Sequence, residues 1–226
     1  MFSILLEDNH CLVVNKPAGI PSQGDDSGDP SLVDLVGADL KARYNKPGNV
    51  YVGLVHRLDR PTSGIVLIAK TSKAAGRLSA QFRDGLVEKT YLAVVEGQPV
   101  EEEGVWVDSL WKDRQRNVVS VVDASYPECV EARVRFHVLE RHRSKTLVEL
   151  KPMTGRSHQL RVQLASRGLP IVGDRKYGAV STLIAADGKP RIALHAHKLC
   201  FTHPTRGEVQ QVLAPLPADW PAMRGS

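Results

Sequence analysis

The stretch His56-Arg57-Leu58-Asp59-Arg60-Pro61-Thr62-Ser63-Gly64 sets one aspartate between two arginines. Two neighbouring guanidinium groups favour the ionised carboxylate and lower its pKa. A carboxylate kept in that form is a poor general acid. It serves as a nucleophile, or as an electrostatic partner for positive charge developing on a carbon such as that of a sugar. An aspartate just before proline is also a common local turn-former. What argues for more is the run that follows, Ile65-Val66-Leu67-Ile68-Ala69, which is apolar enough for a buried strand. Loops present functional groups from such rigid bases. No second carboxylate stands in a comparable motif, which argues against the two-carboxylate scheme of ordinary glycoside hydrolysis.

Two other segments carry candidate groups. In Thr154–Gly168, "TGRSHQLRVQLASRG", Ser157 is a plausible N-cap of a helix over 157–166 and Gly168 its terminator. Arg161 then lies one turn inside, on the face of Ser157, and can offer a planar donor fork to a carboxylate or phosphate. Gly155 beside Arg156 lets the backbone approach a phosphate closely. His158 has no second ligand at metal spacing, so no metal is expected. In "EKTYLAVVEG", alternation puts Tyr91, Ala93 and Val95 on one face of a strand. A strand tyrosine is commonly a sheet-face residue. The functional alternative is an aromatic plate on which an extruded base stacks.

The elements that must position these residues can be read in outline. Cys11–Val14 reads as a short strand stopped by Asn15-Lys16-Pro17, and residues 24–30 as a polar loop. Ser31 caps a helix with Leu32, Leu35, Val36 and Leu40 on one face. Thr71 or Ser72 caps a second, with Ala75, Leu78 and Phe82 in a stripe and Gly85 as its stop. Residues 98–127 are sparse in apolar side chains and read as an irregular hairpin. "ARVRFHVLE" and "TLVELKPM" alternate and read as paired antiparallel strands. Strands near Ala193–Phe201 and Val209–Leu213 complete a sheet. Irregular connections between strands, with two or three helices, argue for an α+β fold. The expectation is a mixed, mostly antiparallel central sheet with flanking helices and loops, in one domain over residues 1–226.

Composition narrows the class. Hydrophobic residues make up 42% of the 226 and charged residues 24%, so a packed core is expected rather than a disordered chain. No apolar run approaches the ~20 residues of a membrane helix. The N-terminus lacks a basic region before its apolar residues, so no signal peptide is read. Three cysteines without metal-like spacing fit a reducing cytoplasm. A net charge of +5 favours an anionic partner where the base clusters, as in Arg141–Lys145 and Arg156–Arg161.

Together, "LVVNKPAGIPSQG", "HRLDRPTSG", "EKTYLAVVEG" and "TGRSHQLRVQLASRGLPIVGDRKYG" resemble the RluA-type family of RNA pseudouridine synthases. The blocks stand in the family's order and span residues near 8 to near 215. The resemblance implies that Asp59 is the essential aspartate, Tyr91 the residue that stacks on the target base, and Arg161 the arginine that pairs with the aspartate. It implies that Arg57 fills the gap left by a flipped nucleotide. Arg156, Leu160 and the Asn15–Gly19 loop are expected to contact RNA or line the pocket, within two lobes around a catalytic cleft. Gln163 stands where many relatives carry histidine. The implied reaction breaks the N1–C1′ bond of a uridine and joins C5 to C1′, without cofactor or metal. The implied partner is a stem-loop of ribosomal or transfer RNA, bound by a monomer with no S4-like extension. Two rivals stay open: a non-catalytic RNA-binding module on this fold, and a glycosylase that releases free base.

Overall fold

The computed structural model describes residues 2–25, 27–185 and 188–221. In chain order the elements are β1 (Ser3–Glu7), β2 (Cys11–Lys16), α1 (Leu32–Arg43), β3 (Gly53–Leu54), β4 (Ser63–Ala69) and α2 (Ser72–Arg83). There follow β5 (Glu88–Glu96), β6 (Glu103–Asp113), β7 (Val118–Val122), β8 (Val130–His142), β9 (Lys145–Pro152) and α3 (Gln159–Ala165). After a single 3-10 turn over Arg175–Tyr177 come β10 (Leu194–Thr202) and β11 (Val209–Leu213). The fold is α+β and mostly antiparallel, as the strand pattern predicts. The chain divides into two compact units, Met1–Glu88 with Ala196–Pro217, and Lys89–His195 with Ala218–Ser226.

In the first unit the strands run in the order β1-β2-β4-β10, with β3 on β4 and β11 on β10. Strand β4 is buried at every position. That is why its sequence is an unbroken apolar run rather than an alternation. Its Ile65 and Leu67 pack with Cys11, Val13, Leu78 and Phe201, and Val66 and Ile68 on its other face are equally buried. The helices begin where their caps dictate. Ser31 and Asp34 form a reciprocal capping box on α1, and Thr71 accepts from the Ala74 N–H at the start of α2. Gly85, at φ 72, ends α2 in the left-handed conformation that a helix stop requires.

In the second unit β5-β9-β8-β6-β7 form an antiparallel sheet with one dry face. On β8, Ala132, Val134, Phe136 and Val138 are buried, and the residues between them are exposed. Leu160 and Leu164 of α3 join Val134, Phe136, Val148 and Leu150 in one cluster. The segment expected to be irregular is instead a regular hairpin: β6 pairs with β7, and with β8 from Glu103 to Leu110. The polar residue Asp108 lies among the inward-facing positions Gly104, Trp106 and Leu110 and masks their alternation. Its carboxylate is taken up by Arg167 at 2.9 and 3.0 Å and by Gln163 at 2.7 Å, which makes burial of the charge tolerable.

Gly64 adopts φ 116, and a Cβ there would run into the Ala196 backbone of β10. Gly76, exposed in the middle of α2, has open space around it. Gly64→Ala is therefore expected to destabilise the protein by about 3 kcal/mol in urea unfolding. Gly76→Ala is expected to stabilise it by about 1 kcal/mol, through helix propensity alone.

Candidate active site

Asp59 sits on the turn that feeds β4, where Thr62 N–H donates to the Asp59 carbonyl at 3.0 Å. The residues on either side of it are clamped. Leu58 and Ser22 exchange two hydrogen bonds: Ser22 Oγ donates to Leu58 O at 2.7 Å and accepts from Leu58 N at 3.0 Å. Arg60 and Gly19 exchange two more, Gly19 N to Arg60 O at 2.8 Å and Arg60 Nε to Gly19 O at 3.0 Å. The Asp59 backbone is thus pinned from both neighbours by one loop, residues 17–22. Upstream, His56 Nε2 accepts from Leu67 N at 2.9 Å, and the imidazole stacks on Phe82 at 4.5 Å. His56 therefore ties the start of the motif to β4 and α2.

Lys16 is the residue that the sequence reading underrated. It is fully buried, and its Nζ donates to three carbonyls: Pro17 at 3.0 Å, Ile20 at 2.7 Å and Arg60 at 3.3 Å. Three acceptors match the three N–H groups of an ammonium. Burial nevertheless pushes Lys16 down to about 7, against the charge of Asp59, which acts to raise it. The signal in the sequence was a lysine at the end of an apolar strand, directly before proline.

The two arginines that flank Asp59 do different work from the electrostatic sandwich expected of them. Arg60 spends its guanidinium on Gly19 O and on Asp29, with Asp25 at 3.7 Å. Arg57 is exposed, and its side chain makes no hydrogen bond or ion pair among the described residues.

In the second unit, helix α3 starts later than expected. His158, at φ 50, occupies the N-cap position without a side-chain cap bond, so Ser157 neither caps the helix nor shares a helical face with Arg161. Gln159 organises the entry instead. Its Oε1 accepts from Arg156 N at 3.0 Å and Thr154 Oγ at 2.8 Å, and its Nε2 donates to Arg133 O at 3.0 Å. Arg161 is buried on α3 and forks onto Asp174, Nε to Oδ2 at 2.6 Å and Nη2 to Oδ1 at 2.8 Å. The Tyr177 ring lies 5.0 Å from its guanidinium carbon. Arg156 is exposed, with Nε donating to Glu131 O at 2.9 Å. Tyr91 is half-buried on β5, opposite Leu150, and packs against the hydrophobic cluster that holds Leu160. Asp174 and Tyr177 had no role in the sequence reading; their signal was two glycines bracketing "DRKY".

A third cluster, Asp8, Cys11 and His203, brings metal-ligand atom types within 4.8 Å of one another. Its donors are already committed to each other. His203 Nδ1 accepts from the Thr205 and Arg206 N–H groups, so its proton sits on Nε2 and is donated to Asp8 at 2.6 Å. Burial pushes the Cys11 thiol up to about 12.

Comparison with known proteins shows the family. A family model described as RNA pseudouridylate synthase matches residues 10–166. The chain belongs to this family. It is 37% identical over 94% of its length to "Ribosomal large subunit pseudouridine synthase C" of Vibrio vulnificus, and spans 65% of that protein. The protein of the same name from Escherichia coli is also 37% identical over 94% of the chain, which spans 66% of it. Among solved structures, "Human RNA Pseudouridylate Synthase Domain Containing 4" matches with a TM-score of 0.79 and 27% identity, over 96% of this chain and 90% of the human one. "Human RNA Pseudouridylate Synthase Domain Containing 1" matches with a TM-score of 0.76 and 28% identity, over 100% and 91%. The RluA-type resemblance therefore holds. The matched region of this pseudouridylate synthase family member contains Asp59, Tyr91 and Arg161 and ends before Asp174.

The Lys16 cage makes a pH prediction. Its pKa is lower folded than unfolded, so between about 7 and the ordinary 10.5 the unfolded chain binds the extra proton. Stability from this group therefore rises with pH across that window, by at most about 1.4 kcal/mol per pH unit. Below it both states are protonated and the cost of burying the ammonium is constant. Urea unfolding of wild type and Lys16→Met across the window should show the gap widening in favour of wild type as pH rises. A constant gap would remove the titration from Lys16.

Proposed function

We propose that this chain is an RNA pseudouridine synthase acting on a uridine in large-subunit ribosomal RNA. Asp59 is the reacting carboxylate, Arg161 its guanidinium partner, and Tyr91 the stacking plate for the target base. The observation that carries the reading is the clamp on Asp59: a half-buried carboxylate whose backbone neighbours are fixed by four hydrogen bonds from one loop. A pure RNA binder gains nothing from fixing a negative charge, since phosphates repel it. The names of the relatives support ribosomal RNA as the substrate class.

The chemistry is an isomerisation. The N1–C1′ bond breaks, the base turns, C5 bonds to C1′, the C5 proton leaves to solvent and N1 gains one. Atoms and electrons balance within the nucleoside and water. Reaching C1′ in a stem-loop requires turning the nucleotide out of its stack, at a cost of a few kcal/mol. Exposed Arg57 and Arg156 supply cations for the phosphates, and Arg57 fills the vacated stack.

Asp59→Asn is expected to abolish pseudouridine formation and preserve RNA binding, since the neutral amide is neither nucleophile nor base. Turnover of the purified variant beyond a trace of wild type would remove Asp59 from the chemistry. Tyr91→Ala should weaken binding of the same RNA by about 1–3 kcal/mol, whereas Tyr91→Phe keeps the ring face and most of the affinity. Filter binding of the three proteins checks this; equal affinities would return Tyr91 to a packing role.

A further inference from the structure

A guanidinium carries five N–H donors in one plane. Asp174 takes two of those on Arg161, Nε–H and one at Nη2, in a side-on fork with both partners buried. The fork fixes the plane in which the remaining N–H groups of the guanidinium lie.

Asp174 is itself held by backbone geometry that the sequence encodes. Gly173, at φ 88, leaves no room for a side chain, because a Cβ would meet Arg191 O and the Leu183 Cβ. Asp174 then caps a single 3-10 turn: Tyr177 N–H donates to Asp174 O at 3.0 Å and Ala179 N–H at 3.1 Å, and Gly178, at φ 93, closes the turn. Three residues make one 3-10 turn, so Asp174 and Tyr177 fall on the same side of it. The Tyr177 hydroxyl lies 2.7 Å from His158 Nδ1 at the start of α3 and accepts from Val119 N at 3.0 Å on β7. The ring is thereby anchored at its far end while its face meets Arg161.

A buried ion pair is weak evidence for stability, since apolar side chains of similar volume often do as well. It is strong evidence for orientation. Building on the proposed function, we propose that Asp174 is a positioning residue: it sets the plane of Arg161, and Tyr177 locks that plane by packing beneath it. The two residues lie beyond the segment that the family model matches.

The test uses the full chain and an RNA stem-loop that wild type modifies. Asp174→Asn keeps the shape and removes the charge. Turnover should fall about 100-fold, the scale of an ångström-sized misplacement, with RNA affinity unchanged. The nitrogen–proton NMR signal of Arg161 Nε, expected to be sharp and slowly exchanging in wild type, should be lost. Asp174→Glu, which restores the charge, should recover part of both. If Asp174→Asn fails to fold, Asp174→Glu decides with the same two readouts, since the longer side chain keeps the charge but displaces the fork, so both should fall below wild type. Wild-type turnover per folded molecule with an unchanged Arg161 signal would overturn the proposal and make the pair structural only. If wild type itself makes no pseudouridine, the proposed function fails, while the Arg161 signal in Asp174→Asn still decides whether Asp174 immobilises that arginine.

Discussion

Leu58 and Arg60 each exchange two hydrogen bonds with the loop of residues 17–22, and the residue between them is Asp59. Several other features of the first unit support that constraint. Strand β4, buried along its whole length, supplies a rigid base for the turn. Lys16 gathers Pro17, Ile20 and Arg60 carbonyls around one ammonium, so the loop and the turn share a single buried charge. Pro21 O accepts from Leu32 N, which carries the same loop into the start of α1. A carboxylate on a mobile surface turn would sample many positions. This one is held through hydrogen bonds to the residues on either side of it.

The two units handle buried charge differently. Lys16 is satisfied by neutral carbonyls, so burial dominates and drives its pKa down. Arg161 is satisfied by a carboxylate in a fork, and a guanidinium stays charged in any protein environment. The first arrangement makes a pH-sensitive brace. The second makes a permanent cation with a defined plane. Gln163 belongs to a separate network with Asp108 and Arg167, the latter stacked on Trp106 at 4.6 Å. Its job is to hold α3 on the sheet.

Much of this was legible in the sequence, for identifiable reasons. Helices α1 and α2 announced themselves through Ser31, Thr71 and Gly85, because caps are local interactions. Strands β8 and β9 alternated cleanly because one face is wet. Strand β6 did not, because Asp108 sits at an inward position and finds its partners 55 and 59 residues away. Arg60 was misread for the same reason: adjacency in sequence suggested a flanking charge, and its actual partners, Gly19 and Asp29, lie across a loop. The start of α3 was misplaced because serine is the usual cap, whereas here Gln159 serves the preceding N–H from inside the helix. Asp59, Tyr91 and Arg161 were singled out by motif, and motif alone could not show that Arg161 is gripped from the side by Asp174.

The central claim is that a fixed carboxylate performs an isomerisation on RNA rather than binding it or cutting a base away. RNA carrying tritium at C5 of its uridines separates these outcomes in one incubation. The account predicts tritium released to water in step with pseudouridine formed, and no free uracil. Free uracil would make the protein a glycosylase. RNA bound with no tritium released, across large-subunit ribosomal transcripts, would leave a binding module and contradict the account.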